Sequence, residues 1–130
     1  MQFKKIIICL FVISIFLIGC GYKVKTTEHK TPVPSAAEEL KLDKNADIFM
    51  LDDRVYKTDI DWVNQLSLSK KNEIGIIESK YSIASEEPFK NKMATKLPIG
   101  SKIFSTNERE DVLIVQYKGI EKKYYALSEG

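Results

Sequence analysis

The feature that most limits this chain lies near its start. An apolar run of 13 residues, Ile6 to Ile18, follows the basic opening Met1-Gln2-Phe3-Lys4-Lys5 and ends in Gly19-Cys20. As a helix it would be roughly 20 Å long at ~1.5 Å per residue, well short of the ~30 Å hydrocarbon core of a bilayer. A basic start, a short apolar centre and a small residue at its end are the parts of a secretion signal. Residues 1–19 are therefore expected to be cut away, and the fold must be built from the rest.

The end of the run, Leu17-Ile18-Gly19-Cys20, resembles the lipobox of bacterial lipoproteins. In that chemistry the cysteine sulfur takes a diacylglycerol as a thioether, and a peptidase then cuts before it, where a residue as small as Gly19 fits. Two acyl chains matter physically. Each buried CH2 contributes ~0.8 kcal/mol, and one chain alone holds a protein only marginally. Cys20 is thus the expected lipidation site. The expected location is the extracytoplasmic face of the cell membrane.

Charge and cysteine usage agree with removal of the leader. The 20 Lys+Arg fall to 18 without Lys4 and Lys5, against 18 Asp+Glu, a formal balance of zero. No basic excess remains to drive binding to nucleic acid or anionic lipid. The cysteines, Cys9 and Cys20, are both accounted for: one leaves with the signal and the other is acylated. No disulfide is expected, so the exported part must hold together by packing.

From residue 20 to 46 the chain loses apolar periodicity and is rich in Thr, Lys, Glu and Pro, the composition of a solvated tether. A flexible chain of that length has a typical end-to-end distance of roughly 25–30 Å. Ser35-Ala36-Ala37-Glu38 reads as a capping box for a short helix from Ala36 to about Leu42, marginal by itself in water. The sole histidine, His29, sits in this stretch between Glu28 and Lys30 and reads as a solvated side chain.

Residues 47–130 are expected to form one small α+β domain, a mostly antiparallel sheet of five or six strands with one short helix. Asp47 to Leu51 and Arg54 to Lys57 read as a hairpin closed by Asp52-Asp53. Thr58, with Asp61 three residues on, reads as a helix start that places Ile60, Val63 and Leu66 near one face. Glu73 to Ile83 contains a strand, residues 84–96 an exposed polar loop, and Leu97-Pro98-Ile99-Gly100 a turn. Lys102 to Ser105 is a further strand. The almost continuous apolar run Val112 to Tyr117 suits a central strand, and Lys118-Gly119 turns it into a last strand, Ile120 to Leu127. A bent sheet and a half-open barrel both remain open.

The chemical candidates are weak. Asp52, Asp53, Asp59 and Asp61 form the densest acidic group, but an EF-hand-like calcium loop wants a Gly at its sharp turn, and turn and cap roles explain them better. Glu78 is the carboxylate hardest to dismiss for glycoside hydrolysis, which needs a second one about 5–10 Å away. The serines lack a histidine partner in the domain, so triad chemistry is not expected. Tyr124 and Tyr125, after Lys122-Lys123, could suggest an aromatic surface, yet neighbours in a strand point to opposite faces, so one belongs in the core. No catalytic, cofactor-binding or metal-ligating residue is assigned.

Together with the lipobox and tether, the segments ADIFMLDDRVYK, IDWV, EIGIIE, MATKLPIGSKIF and DVLIVQYKG make the chain similar to small YhfM-like lipoproteins of spore-forming Gram-positive bacteria. The resemblance covers nearly the whole chain. It implies a membrane anchor facing the wall and carries no activity or site residues with it. The leading expectation is a non-catalytic binding or scaffolding domain of the cell envelope, not an enzyme, without cofactor. Its expected partners are the membrane, through Cys20, and an envelope protein or wall component. The alternatives are a carboxylate-dependent wall-active hydrolase and a sensor of a small ligand or ion.

Overall fold

Phe49 and Leu51 alternate with Ile48 and Met50 along the first strand, and this period of two gives the sheet apolar residues on both faces. In the computed structural model, which describes residues 35–128, that strand β1 (Ile48–Leu51) pairs antiparallel with β2 (Arg54–Lys57). The turn between them is the expected one. Asp52 and Asp53 take φ of 48° and 63°, the left-handed conformation that two-residue hairpin turns require and that Asp tolerates better than most residues.

The remaining strands are β3 (Lys70–Ile76), β4 (Ser79–Lys80), β5 (Met93–Ala94), β6 (Lys102–Thr106), β7 (Val112–Tyr117) and β8 (Ile120–Ala126). They form one sheet in the order β3-β6-β7-β8-β2-β1-β5-β4, antiparallel except for β4 against β5. The two outermost strands, β3 and β4, are separated only by Ile77 and Glu78, a reach of about 10 Å at ~3.3–3.6 Å per residue. A sheet of eight strands can satisfy that link only by curling until its edges approach each other. Ile77 makes the junction: its N–H donates to Ser101 on the β6 side, and Glu78 N–H donates to Lys92 beside β5.

The α+β class holds, but the strand count of five or six is corrected to eight. The added strands, β4 and β5, have two residues each, and β5 lies in the polar stretch expected to be loop. Their backbones are recruited from outside: Phe49 of β1 pairs with Ala94, and Thr95 N–H donates to Ile48. A second helix is also present. Helix α1 (Ala36–Leu42) has the expected reciprocal capping box, with Glu38 N–H donating to Ser35 Oγ and Ser35 N–H to Glu38 Oε2. Residues 35–46, read from sequence as tether, pack on the domain. Ala36 and Ala46 join Ile48 and Val55 in an outer apolar cluster, and Glu39 pairs with Lys57 at 3.2 Å.

Helix α2 (Asp61–Asn64) begins later than expected, with Ile60 rather than Thr58 as its N-cap and no side-chain cap. Thr58 is committed elsewhere: it is buried, and its hydroxyl donates to Lys123 O at 2.8 Å. Lys123 in turn donates its ammonium to Asn64 O and Leu66 O at the helix end, which satisfies carbonyls that no later turn reaches. Val63 is buried on the sheet side, whereas Trp62 is half exposed.

The interior of the curl holds Phe49, Tyr56, Ile77, Leu97, Ile103, Leu113, Val115 and Tyr124. Strand β7 lies between β6 and β8 and buries Val112 to Val115 without a break, as its apolar run requires. Edge strand β3 is different. Gly75, and Ile77 just past the strand's end, turn inward, whereas Ile74 and Ile76 stay exposed. Two register shifts against β6 and the pair Lys70-Lys71 blunt this edge against further pairing.

The β7–β8 turn gives a direct test of backbone preference. Lys118 takes φ 47° before Gly119 at φ 78°, so a lysine occupies a position where Asn is more at ease. Lys118→Asn is expected to stabilise the domain by about 0.5–1 kcal/mol, read as a raised denaturation midpoint. An unchanged or lowered midpoint would contradict the turn geometry.

Candidate functional site

Strand alternation places Lys122, Tyr124 and Ala126 of β8 on one face, the inner one. Tyr124 lies wholly within the core, and Lys122 lies toward the end of the sheet where its ammonium reaches solvent. Asp47, just before β1, meets both. Its Oδ1 accepts the Tyr124 hydroxyl at 2.8 Å, and its Oδ2 accepts Lys122 Nζ at 3.1 Å. The Asp47 side chain is 8% exposed and that of Lys122 is 45% exposed. A nearly buried carboxylate is thus held by one neutral donor and one cation, which is how such a charge is tolerated away from water.

Burial raises the Tyr124 hydroxyl far above the ordinary phenol range, and the negative charge of Asp47 adds to the shift. The phenol therefore stays protonated and serves only as a donor here. Tyr56, in the same core, is also raised, by burial first.

Asp47 and Lys122 form one wall of a pocket of about 220 Å³. The opposite walls are Leu97 and Pro98 from the turn before β6, with Val115, Tyr117 and Ile120 from the β7–β8 hairpin; Lys96 stands at the rim. The lining is mainly apolar, with charge confined to Asp47, Lys122 and Lys96. Such a pocket suits a small amphipathic group rather than a fully polar one. A neighbouring hollow of about 230 Å³ lies across Tyr117, bounded by Lys102, Gln116 and Lys118.

The residues weighed from sequence go elsewhere. Asp52 and Asp53 form the hairpin turn, and Asp53 is bound to Asn91 by both its N–H, at 2.8 Å, and its carboxylate, at 3.0 Å. Asp59 has φ 63°, and Asp61 sits in the first turn of α2, so the four carboxylates serve turns and a helix start. Glu78 is 58% exposed and stands 3.5 Å from Lys92. Among the described residues no group of three or more His, Cys, Asp or Glu side chains could hold a metal ion. Tyr124 is the core tyrosine and Tyr125 the outer one, packed edge-on to Trp62 at 5.0 Å. Arg109 lies over the Trp62 ring at 5.2 Å and is held there by paired bonds of 2.8 and 2.7 Å to Asp111. That contact lowers the Asp111 carboxyl and raises the Arg109 guanidinium. Cys20, Cys9 and His29 lie outside the described residues.

Sequence reasoning missed Asp47 and Lys122. Nothing local marks them: Asp47 reads as a polar residue before a strand, and Lys122 as one of many lysines. A lysine at the inward phase of a strand, two residues before a core tyrosine, was the available signal.

Among the described residues no helix is long and apolar enough to cross a membrane. Comparison of the chain with protein-family models, with curated proteins and with solved structures finds no match.

Proposed function

We propose that this chain is an extracytoplasmic lipoprotein, acylated on Cys20 and held at the outer surface of the cell membrane, whose folded domain is a non-catalytic binding module. The observation that carries the location is the short apolar run of residues 6–18 closed by Gly19-Cys20. The resemblance to YhfM-like lipoproteins supports the same reading. On it, residues 21–34 are the spacer between acyl chains and domain, shorter than the tether read from sequence because α1 belongs to the folded part. The binding face is the pocket beside Asp47, whose apolar walls and isolated charges suit recognition of an amphipathic group.

Cys20→Ala tests the anchor. The parent chain is expected in the membrane fraction, with a mass showing the leader lost and a diacylglyceryl group gained. The variant is expected to keep its leader and lose the acyl mass. A parent chain with a bare Cys20 sulfur would overturn the assignment.

A further inference from the structure

Two turns meet at the end of the sheet that carries the Asp47 pocket: Leu97-Pro98-Ile99-Gly100, and Lys118-Gly119 between β7 and β8. Register holds them together, since Lys102 pairs with Gln116 and Tyr117 with Ile120. Ile99 in the first turn and Ile120, directly after the second, are 62% and 65% exposed, two aliphatic side chains at the same end of the sheet. Around them stand Lys96, Lys102 and Lys118, each lining one of the two hollows that share Tyr117 as a wall.

The charge here is one-sided. The acidic neighbours are already engaged, Asp47 by Lys122 at 3.1 Å and Glu121 by Lys70 at 2.7 Å. Among the described residues no carboxylate lies within 4 Å of Lys96, Lys102 or Lys118. A zero overall balance says little about such a patch, because at physiological salt charges act over about 8 Å. Lysines around exposed aliphatic side chains, with an aromatic ring between them, form the side-chain set that favours the headgroup region of a bilayer.

We propose that this end of the domain docks on a bilayer surface rich in anionic lipid. Lys96, Lys102 and Lys118 meet the headgroup phosphates, and Ile99 and Ile120 enter the acyl boundary beneath them. The proposal rests on reading this end as the binding face and supplies its partner. It does not depend on acylation of Cys20. The consequence is orientation: a domain that the spacer alone would leave free to tumble is laid down with its β7–β8 hairpin toward the lipid.

Lysine acetylation read residue by residue by mass spectrometry tests this on the full chain. The chain is mixed with vesicles of phosphatidylcholine alone or of phosphatidylcholine with phosphatidylglycerol. Lys90 is the internal control. It neighbours Asn91, which is bound to the Asp52-Asp53 turn at the far end of β1 from Asp47. With phosphatidylglycerol, acetylation of Lys96, Lys102 and Lys118 is expected to slow at least fivefold, while Lys90 is unaffected. Lys102→Glu with Lys118→Glu is expected to restore the rate at Lys96, because each lysine near an anionic surface is worth about fivefold in binding. Both changes are on exposed or turn positions, and an unchanged melting curve verifies the fold.

Equal slowing on both vesicle types, slowing at Lys90 as well, or no slowing on either would overturn the proposal. So would slowing produced equally by a soluble polyanion without vesicles, which would assign the face to an anionic polymer. Cys20→Ala separates the two readings. Loss of the acyl anchor with the footprint intact on added vesicles leaves the docking face standing alone. An intact anchor without the footprint leaves only the anchor.

Discussion

Phe49→Ala is expected to destabilise the domain by about 3–5 kcal/mol, the usual range for a large aromatic removed from a core. Phe49 is fully buried, stacked on Tyr56 with ring centroids 5.2 Å apart and met edge-on by Tyr124 at 4.9 Å. These rings come from β1, β2 and β8, so the phenyl group ties together the middle of the curled sheet. Its loss leaves a cavity that two aromatic neighbours cannot fill without leaving their rotamers. A domain of this size has a total stability of roughly 5–14 kcal/mol, so the variant keeps only part of its margin. In urea the midpoint is expected to fall by about 2–3 M for a slope near 1.5 kcal/mol per M. The exposed Ile120, changed to alanine, is expected to change the stability by less than about 0.5 kcal/mol. A Phe49→Ala loss no larger than that of Ile120→Ala would refute the interior assigned to β1.

The second large effect belongs to Asp47. Its removal strands the Tyr124 hydroxyl in the core without an acceptor, which costs about 1–3 kcal/mol in itself. The charged bond to Lys122 is lost as well, although that ammonium can turn to water because the lysine side chain is 45% exposed. Asp47→Ala is therefore expected to cost about 2–4 kcal/mol, below the 3–5 typical when a fully buried ion pair loses one member. Tyr124→Phe with Asp47→Ala should cost less than the two single changes added together, since both delete one bond. Strict additivity would mean that the bond carries no energy.

The burial of Tyr124, with the charge of Asp47 beside it, predicts an alkaline effect with a definite sign. The folded chain holds the Tyr124 proton above the unfolded value of 10.0. Above that value the unfolded state binds fewer protons than the folded one, so stability falls as pH rises. The slope contributed by this group approaches about 1.4 kcal/mol per pH unit. Tyr124→Phe removes it, and the stability curve of the variant should be shallower by about half that amount at pH 10 and by nearly all of it at pH 11.5. Parallel curves would place the phenol in water. At acid pH the sign reverses. The Asp111 carboxyl, lowered by Arg109, contributes stability that is fully present above its unfolded value of 3.8 and is lost as pH falls through its lower folded value.

The parts of the fold that could be read in advance are those whose cause is local. Asp52-Asp53 and Lys118-Gly119 close two-residue hairpins because neighbouring residues supply the left-handed backbone that such turns need. Ser35 and Glu38 cap α1 through bonds three residues apart. The unbroken run of β7 gave its burial away. What could not be read has a distant cause. Met93-Ala94 is strand because Phe49 on one side and Ser79-Lys80 on the other pair with it. Thr58 is no helix cap because Lys123 O, 65 positions later, takes its hydroxyl. Asp47 became a site through Lys122 and Tyr124, 75 and 77 positions away.

By itself, then, the order of residues determined the expected export signal, the local turns and caps, and the apolar alternation that commits the chain to a sheet. Only the tertiary structure decided that this sheet curls, that α1 joins it, and that lysines from distant segments collect at one end while their acidic counterparts are paired. The reason is physical. Backbone conformation and periodicity act within a few residues, whereas curling, charge segregation and the pairing of Asp47 with Tyr124 depend on contacts that exist only once remote segments have been brought together.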